Sequence, residues 1–246
     1  MTQTATHTPW RVEDCVLPLD SSLDRAMTAE NFRAIASNTE WQQIEIAHCR
    51  VDPWYWRINY VVTMNEHWVT TPGWTGPYRR WPATEHSRSY LHVLFTEMFT
   101  AWPKSRQQMA TWLIASQMYG DAIFTGGRLY MIQSKQHVDS MAVLERVRGI
   151  DQRLRTLAPW LVPALTKDDA REMRWANEST MCAVPEGPNY VQSRTPAWWL
   201  ADEIQLQVGA KEALKHAIPA CERISLVGTA DYGYFYQEFL PEKEVA

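Results

Sequence analysis

Three short stretches set chemistry-bearing residues beside apolar runs. The first, W-W-L-A-D-E over 198–203, is an apolar run that ends in Asp202 and Glu203. At a strand end, such an aspartate can orient water on Mg²⁺, and the adjacent glutamate can polarise an attacking water. The same letters also fit an apolar strand running into a polar turn. The second, I-S-L-V-G-T-A-D over 224–231, closes on a small-residue turn in which the Thr229 hydroxyl could sense a γ-phosphate. An ordinary strand-end turn reads the same way. The third, W-P-K-S-R-Q-Q-M-A-T-W over 102–112, stands just before a regular helix. A phosphate loop needs glycines for close backbone approach, a lysine for phosphate oxygens and a Ser/Thr hydroxyl for Mg²⁺. Thr111 offers the hydroxyl at the start of a helix whose first amides would face an anion. Lys104 and Arg106 offer positive charge. Ala110 stands where lysine is usual and Met109 where glycine is usual, and no G-x-x-x-x-G-K-[ST] occurs. By the general pattern the loop fails.

These residues need elements to hold them. Strands are expected at Leu129–Gln133, Thr180–Val184, 198–201 and 224–227, with helices over 109–119, along the apolar stripe Val138 to Leu157, and over 209–218. Strands alternating with helices imply an α/β fold with a central, mostly parallel sheet. In such sheets ligands bind at the carboxyl ends of strands, so the residues just after each strand matter most. Earlier in the chain the pattern is irregular. The aromatic run 54–62 reads as β-like, 70–82 as loop, and 90–99 as helical.

Composition narrows the class. The chain has 246 residues, 13 of them Trp and only 10 Gly, with a formal charge of −4. Abundant large apolar groups argue for a packed core rather than disorder. The longest stretch free of Asp, Glu, Lys and Arg, 107–120, falls short of a bilayer span. Residues 1–9 are polar and carry no secretory signal. Cys15, Cys49, Cys182 and Cys221 form no C-x-x-C pair and read as reduced thiols of a cytosolic protein. Seven scattered histidines lack the spacing of a zinc site. The negative charge removes the easy argument for nucleic-acid binding, so any DNA contact must be a local basic face. Arg146 with Arg153, and Arg148 with Arg155, recur on one helical side and could touch phosphates, although a solvated helix face explains them too. Trp74, Trp81 and the 54–56 aromatics could stack on a base, or pack in a core or interface.

Taken together, K-S-R-Q-x-M-x-T-W over 104–112 and the acidic strand end resemble the ATPase domain of tailed-phage terminase large subunits. Several branches of that family carry a deviant phosphate loop with lysine at its first position, as Lys104 is here. The resemblance extends over about 50–240: an aromatic lead-in with N-E-H at 65–67, the polar Q-S-K-Q at 133–136, an arginine-bearing helix ending in Pro-Trp, Q-S-R-T at 192–195, and a coupling turn at Thr229. It implies a P-loop NTPase fold of the ASCE, RecA-like kind. It further implies an aromatic lead-in over 1–100 packed on an ATPase core over 101–246; the family normally joins such a motor to a C-terminal nuclease domain, and the 246 residues leave no room for one, so none is expected in this chain. By the same resemblance Lys104 binds phosphate oxygens, surrounded by Ser105, Arg106, Gln107, Gln108, Met109 and Ala110. Thr111 and Asp202 hold Mg²⁺, and Glu203 is the catalytic carboxylate. Arg106 acts in cis on transition-state charge, Arg194 is a finger for a neighbouring subunit, and Thr229 couples phosphate release to motion.

The implied activity is Mg²⁺-dependent ATP hydrolysis that drives double-stranded DNA into a procapsid. The implied partners are DNA, a portal protein, a small terminase subunit and further copies in a ring, with no membrane, in the host cytoplasm and transiently at the portal vertex. Two alternatives stay open at this point. One is another P-loop nucleotidase, helicase-like in strand order. The other is a non-hydrolysing assembly protein that keeps the fold around a degenerate loop, for which Met109 in the glycine place speaks.

Overall fold

The computed structural model describes residues 29–64, 68–70, 78–81, 83–104 and 109–229, with the backbone alone at Ala29, Trp68, Arg79 and Lys104. The chain divides into two compact units, one drawn from 1–93 and 149–162 and the other from 94–148 and 163–246.

In the first unit, helices α1 (Ala29–Ala36), α2 (Thr39–Val51) and α3 (Pro53–Tyr60) precede the antiparallel pair β1 (Val62–Met64) and β2 (Tyr78–Arg80). Helix α3 replaces the strand expected over 54–62. Asp52 caps it by accepting the Tyr55 N–H at 2.8 Å, and Pro53 sits in the first turn, where its missing N–H costs nothing. Two start signals thus outweigh an aromatic, β-prone composition. Trp54, Trp56 and Tyr60 are buried, and the Arg57 guanidinium lies 4.6 Å from the centre of the buried Trp81 ring. These aromatics are core, which removes them as base-stacking surfaces; Trp74 lies outside the described residues. The carboxylate of Glu45 accepts from the Tyr55 and Tyr60 hydroxyls, both at 2.7 Å, so a buried acid is satisfied. Strand β2 takes up part of the expected loop. Helix α4 (Glu85–Thr96) begins earlier than the expected 90–99 and ends before Phe99.

The second unit is a seven-stranded sheet. Its strands are β3 (Phe99–Lys104), β4 (Leu129–Gln133), β5 (Leu165–Asp169), β6 (Glu172–Trp175), β7 (Thr180–Val184), β8 (Trp198–Asp202) and β9 (Arg223–Thr229), in the order β3-β9-β8-β4-β7-β6-β5. The first five in that order are mutually parallel; β6 and β5 extend one edge antiparallel. The fold is α/β with a mostly parallel sheet, as expected, but the β5–β6 hairpin is an addition. Strand β5, L-T-K-D-D, is polar, with Lys167 and Asp169 in ion pairs with each other and with Glu172, while β6 alternates and buries Met173 and Trp175 over only four residues, too short a run to signal a strand. Such charges suit an edge.

Helices cover both faces. Helix α5 (Ala110–Thr125) lies across β4, β7, β8 and β9 and is buried nearly all round, as a helix apolar on every side must be. Helix α6 (His137–Leu157) follows β4, and α7 (Asn189–Gln192) is a single turn before β8. Helix α8 (Ala210–Ala220) packs Ala210, Ala213 and Ala217 with Trp199, Ala201, Ile224 and Leu226. Alternation along a strand sends Trp198, Leu200 and Asp202 to the opposite face, beneath α5.

A buried polar set pins three strands on that face. Ser225 on β9 lies opposite Thr100 on β3 and Leu200 on β8. Its hydroxyl is 2.9 Å from that of Thr100 and accepts the indole N–H of Trp198 at 3.0 Å. A one-residue slip of any of these strands would leave these groups unpaired in the core.

The paired arginines of α6 are all engaged within the chain. Arg146 stacks over Trp112, Arg148 bonds Asp168 and Glu145, Arg153 lies 3.7 Å from the Tyr78 ring centre, and Arg155 bonds Asp151. Each therefore has a structural task.

Candidate active site at the carboxyl edge of the sheet

The parallel register brings the strand ends together. Lys104 stands opposite Thr229, Asp202 opposite Val227, and Gln133 opposite Ala201, so β3, β9, β8 and β4 finish along one edge. One strand, β9, lies between the loop-bearing β3 and the acidic β8.

At this edge the Thr111 hydroxyl donates to Asp202 Oδ1 at 2.9 Å, across 91 residues of sequence. Thr111 is 4% exposed and Asp202 9%. The carbonyl of Asp202 accepts from Gln207 Nε2 at 2.9 Å, which fastens the turn after β8. Glu203 begins that turn with φ 51°, in the left-handed region that a glutamate seldom adopts. Ile204, fully buried in the core cluster, draws the chain inward beside it and leaves Glu203 at the rim. There the Glu203 carboxylate pairs with Lys135 Nζ at 2.6 Å. This bond, with the charge behind it, holds the Lys135 ammonium above the usual lysine range.

The neighbouring loop is tied in by further bonds. Gln133, wholly buried at the end of β4, donates to the carbonyls of Pro185 and Gly187. Between them Glu186 accepts the Val208 N–H at 3.1 Å. The loop after β7 and the turn after β8 are thereby braced.

Met109 precedes α5 with φ 53°, again left-handed, and its carbonyl accepts the Leu113 N–H at 2.9 Å. Ala110 is buried in the first turn. Ser105, Arg106, Gln107 and Gln108 lie outside the described residues, as does the side chain of Lys104. Thr229 closes β9 half-buried. Arg194 is exposed, and its guanidinium donates to Cys182 Sγ on β7 at 3.4 Å, which is the partner found for it rather than Asp202 or Glu203. The structure thus brings together Thr111, Asp202 and Glu203, adds the backbones of Lys104 and Thr229, and gives Arg194 a different contact.

Sequence reading missed Lys135, Gln133 and Gln207 as parts of the site. The rule that residues just past strand ends matter covers Lys135, but no spacing shows that it reaches across β8 to Glu203.

The donor set suits Mg²⁺. Thr111 and Asp202 present two hard oxygens in a nearly buried place, and Mg²⁺ prefers one or two protein oxygens completed by phosphates and water. Among the described residues no group of three or more His, Cys, Asp or Glu is arranged to hold a metal.

No protein-family model matches the chain, and no curated protein sequence does. Solved structures are similar to it. The large terminase ATPase domain of Thermus phage P74-26 shares 11% identity over 64% of this chain and 69% of that one, with a TM-score of 0.48. The HK97 bacteriophage large terminase shares 13% over 63% and 34%, with a TM-score of 0.46. A large terminase from a thermophilic bacteriophage, solved with ADP, shares 12% over 60% and 39%, with a TM-score of 0.45. This chain therefore spans about two fifths of the length of that last protein.

Proposed function

We propose that the chain is a Mg²⁺-dependent ATPase, the motor domain of a phage terminase large subunit that drives double-stranded DNA into a procapsid. The observation that carries the reading is the buried Thr111–Asp202 pair at the carboxyl edge, with Glu203 beside it. Hydroxyl, aspartate and glutamate in that order are the residues that hold a nucleotide's metal and act on its attacking water. The sequence resemblance over 104–112 and 198–203 supports the same reading.

In this account Lys104 and the amides of 105–109 bind the phosphates. Thr111 and Asp202 hold Mg²⁺, which when bound neutralises charge on the phosphate oxygens. Glu203 accepts a proton from, or aligns a lone pair of, the attacking water. Thr229, at the tip of β9 beside Lys104, responds to the terminal phosphate and passes its loss to the segment beyond. Arg106 stabilises transition-state charge in cis. Arg194 serves a neighbouring subunit only after leaving Cys182. The DNA, portal and small-subunit partners and the ring of copies belong to the proposal, as does a place in the host cytoplasm and at the portal vertex. With a formal charge of −4, each subunit's hold on DNA is local and is shared across the ring.

The test is hydrolysis of ATP by the purified protein with and without Mg²⁺. Glu203→Gln should lower turnover by about 10²-fold or more, the scale of general-base contributions, while nucleotide still binds. Lys104→Ala should weaken binding instead. Undiminished turnover in Glu203→Gln would sink the assignment.

A further inference from the structure

We infer that Gln207 is a positioning residue for Glu203: its side-chain amide closes the turn after β8 onto the Asp202 carbonyl and so holds Glu203 in a left-handed backbone conformation, with the carboxylate at the rim of the carboxyl edge. The inference rests on the ATPase reading above and adds a residue which that reading leaves without a role.

Glu203 sits between two fixed points. On one side Asp202 ends β8, set opposite Val227 by the strand register and tied through its carboxylate to the Thr111 hydroxyl. On the other side Ile204 is wholly buried, packed in a cluster with Val184, Val191, Ala201 and Ala210. The residues that follow form one tight turn. The Glu203 carbonyl accepts the Leu206 N–H at 2.9 Å, and that of Ile204 accepts the Gln207 N–H at 3.1 Å. The Gln207 amide then reaches back and donates to the Asp202 carbonyl at 2.9 Å. The segment from Asp202 to Gln207 is thereby closed on itself around Glu203.

Two observations show that this closure serves more than the fold. Glu203 has φ 51° and ψ 42°, the left-handed region, which a residue with a Cβ avoids by about 5- to 30-fold when nothing constrains it. Strain of this kind persists only where the surroundings over-determine the backbone, and it gathers at functional sites. The second observation is the burial of Gln207 itself, 7% exposed, with its Oε1 buried and lacking a hydrogen-bond donor. A half-satisfied amide is a poor choice for a core position that an apolar side chain could fill. What a leucine could not supply there is the bond to Asp202. Without that bond the turn can relax, the Cα–Cβ direction of Glu203 changes, and the carboxylate leaves its place beside the Thr111–Asp202 pair.

Turnover and nucleotide affinity, measured on the same folded preparations, test the inference. Gln207→Leu should lower kcat about 10- to 100-fold, since ~1 Å of misplacement costs up to ~10²-fold. The KM for ATP and the affinity for a non-hydrolysable ATP analogue should stay within about twofold, because the lost contribution lies in the reaction and not in binding. Gln207→Asn, one carbon too short to reach the Asp202 carbonyl, should show the same split, and it carries the test if the leucine variant does not fold. In a Glu203→Gln background, Gln207→Leu should change the residual turnover by less than about twofold, as a residue acting only through Glu203 must. A turn that matters to the fold alone would weaken analogue binding along with turnover. That outcome, undiminished turnover in both Gln207 variants, or additive losses in the double variant overturns the inference and leaves the ATPase reading standing. A wild-type chain that hydrolyses no ATP overturns both.

Discussion

The hydroxyl of Thr111 bonds Asp202 within the fold, and in the proposed reading it would also bind a metal, two roles that substitution can separate. Thr111→Val keeps the shape and removes the donor. The lost bond should cost about 1–3 kcal/mol in urea unfolding, and Mg²⁺-dependent hydrolysis should be lost. Thr111→Ser gives up one buried methyl, about 1 kcal/mol, and should keep hydrolysis. Equal activity in both variants would show that the hydroxyl has no part in the reaction. Met109 offers a second residue-scale test. Its left-handed φ of 53° carries a strain of about 1–2 kcal/mol for a residue with a Cβ. Glycine relieves that strain but gives up about 0.5–1 kcal/mol to its more disordered unfolded state. Met109→Gly should thus leave stability equal or raise it by up to about 1.5 kcal/mol; a clear loss would mean that the methionine side chain packs there. Asp202 was legible in the sequence because an apolar strand ends on it. Lys135 was not, because a lysine after a strand names no partner until the strand order is known.

At the scale of elements, the line formed by Lys104, Thr229 and Asp202 depends on the register of β3, β9 and β8. Ser225 holds that register by accepting from Trp198 and sharing a bond with Thr100. Ser225→Ala leaves the buried indole N–H without its acceptor. It should cost about 1–3 kcal/mol, with the dependence on urea unchanged if the strands stay in place. A neutral result would mean that packing alone sets the register. Strands such as Leu129–Gln133 and Thr180–Val184 could be read from the sequence because short apolar runs bounded by polar or small residues leave little choice. Helix α3 could not be read from its composition, since Trp, Tyr and Ile favour strands; Asp52 and Pro53 decide it locally. The β5–β6 hairpin escaped because β5 is a charged edge and the apolar alternation of β6, Met173 and Trp175, spans only four residues.

For the whole molecule, the claim is that one edge of a mostly parallel sheet gathers distant residues into an ATP site. The scarcity of glycine has a local expression there, with Met109 bending left-handed before α5 where a glycine would be expected. The loops after β7 and β8 are braced by Gln207 and Glu186, and Glu203 pairs with Lys135 at the rim of the same edge. The most direct test is an experimental structure of the chain with Mg²⁺ and a non-hydrolysable ATP analogue. The account predicts the metal about 2.0–2.1 Å from Thr111 Oγ1, with Asp202 on it directly or through a water, the phosphates between the end of β3 and the start of α5, and Glu203 facing the terminal phosphate. Phosphates bound away from this edge, or a metal held without Thr111 and Asp202, would contradict it.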